Sequence, residues 1–339
     1  QMRKALFMLK YIMRRVLIEI PTLIMVSIVS FIIILLPPGD YLTSYVAQLR
    51  AQGDVVNEAE IRQLEERYGL GQPIYVQYWK WISGVMQGDF GQSLEWRVPV
   101  SSLIGERLLL TFAVSFSTMI FTWTLAIPIG VLSATRQYSL IDYVSTFFGF
   151  IGLGIPNFML ALVLMWVAFA YFDQSVGGLF SSEFIDAPWS WARFKDMLGH
   201  LWIPILVLCT SGTAGLIRTM RANLLDELHK PYVTTARSKG LTERKLVWKY
   251  PVRVALNPFV STVGWQLPAL ISCTTITAVV LNLPTTGPIL LRALTSQDMY
   301  LAGSFLLMLS VLTVIGTLLS DILLAFVDPR IRLEGGTRK

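Results

Sequence analysis

Charge is scarce in this sequence. Only 15% of its 339 residues are Asp, Glu, Lys or Arg, against about 25% in an ordinary soluble domain. Soluble helices keep a polar face, and the long neutral stretches here keep none, which sets aside a bundle of buried helices in a large soluble protein. Cysteine is limited to Cys209 and Cys273, both in apolar stretches. They read as small packing residues rather than a disulfide or a metal pair. The two histidines, His200 and His229, flank one apolar stretch and read as boundary residues. No CxxC, HExxH or GxSxG string occurs, so a membrane-embedded enzyme has no metal or nucleophile–base constellation to work with. The phosphate cradle GxxxxGK[ST] is missing too, which removes an ATP site from this chain. Ion-coupled carriers commonly hold ionisable residues in mid-membrane. A membrane protein with neither a relay nor an ATPase is a channel, or it borrows a motor.

Six neutral stretches are present, at 16–36, 109–132, 143–172, 201–217, 254–283 and 299–320. Each reaches the roughly 17–25 apolar residues that a membrane-spanning helix needs. Glu19 is the one charge inside them. An all-α membrane protein with six transmembrane helices is predicted. The first stretch follows a basic head but is about twice the length of a secretory h-region and lacks a small-residue cleavage site, so it reads as a retained helix.

Orientation follows from the basic residues. With the N-terminus inside, segments 1–15, 133–142, 218–253 and 328–339 carry 19 of the 28 lysines and arginines. The opposite segments, 37–108, 173–200 and 284–298, carry 9. The positive-inside rule then puts both termini in the cytoplasm. The net charge of +6 reflects this bias and anionic lipid, not nucleic acid.

One membrane domain spans 1–339, with an outer segment at 37–108. Within that segment Asn57–Tyr68 reads as a short helix, capped by Asn57 and Glu60 and ended by Gly69. Residues 74–82, with Tyr75, Tyr78, Trp79 and Trp81, fit the outer membrane surface; a stacking site for sugar or base is the alternative. The third stretch holds Gly149, Gly152, Gly154 and Pro156. Glycines admit close helix packing, and a proline breaks the backbone ladder. Broken membrane helices often line a substrate path. The 218–253 segment carries nine basic and three acidic residues and is far longer than the 2–8 residues typical of a helix–helix connection. Tyr232–Leu246 has a polar, mostly helical pattern interrupted by Gly240, and a partner docks there.

Here the sequence resembles a known family. The string Tyr232-Val233-Thr234-Thr235-Ala236-Arg237-Ser238-Lys239-Gly240-Leu241 is similar to the coupling-loop signature of ABC importer permeases of the oligopeptide/dipeptide type. Pro38-Gly39-Asp40, Tyr68-Gly69-Leu70, Gly88-Asp89-Phe90-Gly91-Gln92-Ser93, Pro99-Val100, Arg107-Leu108 with Thr111, Gly154-Ile155-Pro156-Asn157-Phe158 and Asp328-Pro329-Arg330-Ile331-Arg332 resemble other family strings in the same order. Three positions depart from the pattern: Tyr41, Thr234, and Ala278-Val279-Val280-Leu281 leading into Pro284-Thr285-Thr286-Gly287. These departures bear on the solute and not on docking.

The resemblance implies a type I ABC importer permease fold in a bacterial inner (plasma) membrane. It implies a second similar permease, two ATP-binding-cassette ATPase subunits and an extracytoplasmic solute-binding protein. It implies no cofactor on this chain, with ATP and Mg on the partner subunits. Thr235, Ala236, Arg237, Lys239, Gly240 and Leu241 would form the ATPase-coupling loop within cytoplasmic 218–253. Gly240 would make the turn, Ala236 would lie against the ATPase, and Arg237 would pair with an acidic group or a carbonyl on it. Asn157, Gln266, Thr274 and Thr275, uncharged polar residues in membrane stretches, are path candidates; helix–helix hydrogen bonding is their other reading. Peptide and oligosaccharide are the expected solutes, with a nickel chelate as the alternative. A self-sufficient channel or facilitator is the rival class, and it leaves the 218–253 segment unexplained.

Overall fold

The computed structural model describes residues 2–35, 72–93, 95–96, 98–172, 177–185, 187–261 and 275–327. Apart from one isolated bridge between Gln92 and Pro99, the regular structure among them is helical. The predicted helix at Asn57–Tyr68 and the strings around Pro38, Gly69 and Asp328 lie outside the described residues. The same holds for Cys273.

The helices are α1 (Met2–Leu35), α2 (Ile74–Met86), α3 (Val100–Thr135), α4 (Leu140–Gly154), α5 (Asn157–Phe172), α6 (Trp191–His200), α7 (Trp202–Leu228), α8 (Pro231–Ser238), α9 (Glu243–Lys249), α10 (Pro251–Ala255), α11 (Thr275–Val280), α12 (Thr286–Thr295) and α13 (Met299–Val327). Several run past the apolar stretches that announced them. α1 takes in the basic head, and α7 continues eleven residues into the segment expected to be an inner loop. A hydrogen-bonded ladder has no reason to stop where hydropathy does, so apolar length marks the span and not the helix.

Among the described residues, α3, α7 and Met299–Ser320 are long and apolar enough to cross a membrane. Leu17–Ile33 is a shorter apolar helix. The third stretch, expected as one span, is two helices, α4 and α5, bent by 100°. The cause is local. Pro156 has no N–H to give, and the residue before a proline is pushed to extended backbone; Ile155 sits at φ −92°, ψ 120°. The Pro156 carbonyl then accepts from Met159 and Leu160 to start α5. Counted as one broken span, the pair brings the total to four.

The chain forms two compact units, 1–110 with 285–314, and 111–284 with 315–339. In the first, α2 is amphipathic. Trp81 is buried and stacks on Phe31 with ring centroids 5.4 Å apart, while Tyr75 and Trp79 are exposed. The aromatic run expected at the outer surface is therefore divided between a core anchor and an exposed face. Asp298 is buried in the same unit and accepts from Ser93 Oγ at 2.5 Å and from the backbone N–H of Glu95 at 3.2 Å.

The second unit is organised on α7, against which α4, α5, α6 and α10 pack. Gly152 of α4 meets it closely: a methyl added there would lie 3.0 Å from Thr210 Cγ2. Gly154 opens onto free space, so small size serves packing at one of these glycines and not at the other. Cys209 is buried in α7, consistent with a packing role. His200 ends α6, His229 caps α7, and each ring Nδ1 pairs with the carbonyl four residues back, as boundary residues would.

Candidate functional site

Past the end of α7 the chain turns through α8, Gly240, α9 and α10. Lys230 is extended, and Pro231 stands at the first helical position, where its fixed φ suits a start and its missing N–H costs nothing. Apolar residues recur at helical spacing: Val233 and Ala236 on α8, Leu246 and Val247 on α9, Val252 and Ala255 on α10. All are buried in one cluster with Leu216, Ile217, Met220 and Leu224 of α7 and Ala126, Val131 and Ala134 of α3. The helical hairpin is thus fastened along its inner face to two long helices.

Its outer face is polar and exposed. Thr235 donates to the Pro231 carbonyl at 3.0 Å. Lys239 caps α8 and is exposed. Gly240 has φ +77°, a left-handed conformation that side-chain-bearing residues adopt at a cost. A side chain there would meet nothing within 4 Å, so the demand on this residue is conformational and not steric. Leu241 packs partly on the buried cluster. Across the turn, Arg237 grips Glu243 with two hydrogen bonds, Nε–Oε1 at 2.5 Å and Nη2–Oε2 at 3.2 Å. The pair raises the guanidinium's pKa and lowers the carboxyl's, chiefly through those bonds.

Two of these residues have contacts within the chain itself. Ala236 was expected against a partner; its side chain is buried against this chain's own core. It is small because α8 must lie close to that core. Arg237, expected to pair with an acidic group or a carbonyl on the ATPase, also meets Glu243 of its own chain. The segment expected as one coupling loop over 218–253 is the end of α7 followed by three short helices.

A second arrangement ties α4 to α7. Asp142, buried, accepts from Arg221 Nε and Nη2, both at 2.8 Å, from the Tyr138 N–H at 3.0 Å, and from Ser133 Oγ. Four donors thus converge on one buried carboxylate and brace α4 against α7.

The family described as the binding-protein-dependent transport system inner membrane component matches residues 126–333. The N-terminal domain described for such membrane components matches residues 8–115. The chain belongs to this permease family. The permease is 37% identical over 328 residues to the oligopeptide transport system permease protein AppB of Bacillus subtilis, covering 96% of this chain and 99% of that one. It is 31% identical over 327 residues to the glutathione transport system permease protein GsiC of Salmonella choleraesuis, covering 96% and 100%. It is 29% identical over 341 residues to the dipeptide transport system permease protein DppB of Escherichia coli, covering 96% and 99%. Among solved structures it is similar to the MetNI methionine ABC transporter in inward-facing conformations, with a TM-score of 0.48 and 18% identity over 67% of this chain and 96% of that one.

As an ABC importer permease component, the protein also has its path candidates to place. Gln266 and Thr274 lie outside the described residues. Asn157 opens α5 at the bend and Thr275 opens α11, both half-buried. α5 packs on α11, and Gly178 N–H donates to the Leu281 carbonyl at 2.8 Å beyond their ends. Asn157 and Thr275 thus stand at the starts of two helices that pack on each other.

Sequence reasoning counted Arg221 only as a topology charge and Asp142 only as a segment end. A signal was available. Ser139-Leu140-Ile141-Asp142 before an apolar run is a capping-box spacing. Ser139 indeed caps α4, accepting from the Asp142 N–H at 3.4 Å. Nothing local announced that the same carboxylate would also meet Arg221, 79 positions later.

Proposed function

We propose that this permease forms half of a peptide translocation path, crosses the membrane six times with both termini in the cytoplasm, and is driven by separate ATPase subunits. Two ATPases, holding ATP and Mg, bind beneath it and a second, similar permease. A solute-binding protein delivers cargo from outside. The observation that carries the reading is the α8–Gly240–α9 hairpin: it offers Thr235, Arg237 and Lys239 outward while its apolar face is fastened to α7 and α3. A rigid lever of this kind suits the transmission of an ATPase movement to membrane helices. Ala236 and Leu241 are its anchors, and the Arg237–Glu243 pair holds its turn. Peptide is favoured over oligosaccharide or a nickel chelate because the relatives above are named for oligopeptide, dipeptide and glutathione transport.

The test is Gly240→Val in the assembled complex. A β-branched residue at φ +77° strains the turn by about 1–2 kcal/mol, while the membrane helices stay folded. ATP hydrolysis should then lose its stimulation by loaded binding protein, or the ATPase should fail to co-purify. Normal coupled transport by a stably expressed Gly240→Val permease would sink the assignment.

A further inference from the structure

Between α4 and α7 lies an open cleft of about 740 Å³. Arg218, exposed, stands at its side with Cζ 5.7 Å from the Phe150 ring. Tyr143, Thr146 and Thr219 add hydroxyls, and Phe150 and Leu153, both exposed, form an apolar wall. Asp142, the acidic residue lining the cleft, is occupied by Arg221, Ser133 and Tyr138. Among the described residues no carboxylate pairs with Arg218, so its guanidinium stands beside the exposed Phe150 and Leu153 without an acidic partner there.

Its depth in the membrane is informative. Arg218 is the first charge on α7, sixteen residues or about 24 Å along the helix from Trp202. With Trp202 at one interface, as tryptophans prefer, Arg218 comes within a turn or two of the other edge of a roughly 30 Å hydrocarbon core. An arginine at that level extends its head to the phosphate layer. A free phosphate ion would use the guanidinium and hydroxyls and leave the Phe150–Leu153 wall idle. A phospholipid uses both, since it places an anion directly above acyl chains. From these observations we infer that the α4–α7 cleft binds one anionic phospholipid, its phosphate on Arg218 with Tyr143 and Thr146 in support and an acyl chain along Phe150 and Leu153.

The site is tested on the detergent-purified, delipidated permease complex by native mass spectrometry. Phosphatidylglycerol, phosphatidylcholine and inorganic phosphate are supplied separately. Phosphatidylglycerol should be retained in preference to phosphatidylcholine, and Arg218→Gln should weaken it roughly five-fold, the worth of one basic side chain at a membrane surface. Phe150→Ala should weaken phosphatidylglycerol while leaving the lipid preference intact. Unchanged retention in Arg218→Gln overturns the site. Displacement of phosphatidylglycerol by millimolar inorganic phosphate overturns the lipid in favour of a free anion. Should Arg218→Gln fail to assemble, Arg218→Lys is read instead: it must keep the preference, and equal retention of the two lipids counts against the site. These readouts require neither transport nor a known solute.

Discussion

Asp142 collects four donors: two from Arg221, one each from Ser133 and Tyr138. The convergence makes it a brace between α4 and α7 that a neutral residue of the same shape would weaken. Asp142→Asn removes the charge but keeps the shape. It should cost about 1.5–3 kcal/mol, the worth of hydrogen bonds to a charged group. If the melting temperature of Asp142→Asn equals that of the wild type, the brace between α4 and α7 is not what holds them. The Arg237–Glu243 pair is different, since both groups are exposed. Its role is geometric, and a charge exchange isolates it. Arg237→Glu alone should impair stimulated ATP hydrolysis, and adding Glu243→Arg should restore it. Failure of the exchange to restore hydrolysis would return Arg237 to a direct contact with the ATPase.

Among the helices, the bend between α4 and α5 and the seating of the hairpin have separate causes. Two arms of 15 and 16 residues bent by 100° from straight leave their far ends about 30 Å apart; one straight helix would span about 50 Å. Pro156→Ala restores an N–H and permits the straight form. Spin labels at Leu140 and Tyr171 should show a longer distance in that variant, and an unchanged distance would mean that packing on α7, not the proline, imposes the bend. The hairpin is seated by different physics. Apolar association between lipid-bathed helices draws on packing and not on water, whereas α8 and α9, read as lying outside the bilayer, bury Val233, Leu246 and Val247 away from water. Leu246, fully buried, should cost about 2–5 kcal/mol on replacement by alanine. Limited proteolysis between residues 230 and 250 should then accelerate while the membrane helices remain protected.

Sidedness is a property of the whole molecule, and labelling reads it directly. The proposed orientation requires the bent α4–α5 pair to cross the membrane rather than turn back. In a background without Cys209 and Cys273, single cysteines at Gln92 and Glu183 should react with an impermeant thiol reagent on intact cells, and one at Lys239 should react only after lysis. Labelling of Gln92 but not Glu183 on intact cells would mean that α4 and α5 form a re-entrant hairpin, and the six-span count would fall.

Much of this was written in the sequence itself. Missing charge over some twenty residues can only mean lipid or a large core, and it required no fold to read. The helix–Gly240–helix pattern was also local: a glycine inside a polar helical run is where a left-handed turn is cheapest, and φ +77° is found there. Pro156 announced a break for the same kind of reason. Tertiary structure decided what local rules cannot, namely which partner each side chain meets. Ala236 and Arg237 looked free to meet another protein because nothing nearby in sequence claimed them. The claim on Ala236 comes from the buried cluster it shares with residues of α3, α7, α9 and α10, and the claim on Arg237 from six residues on, across a turn whose closure depends on the fold. Asp142 and Arg221 are 79 positions apart, and only the packing of α4 on α7 makes them a pair. Sequence periodicity reports which face of a helix is apolar; it carries no record of what that face will touch.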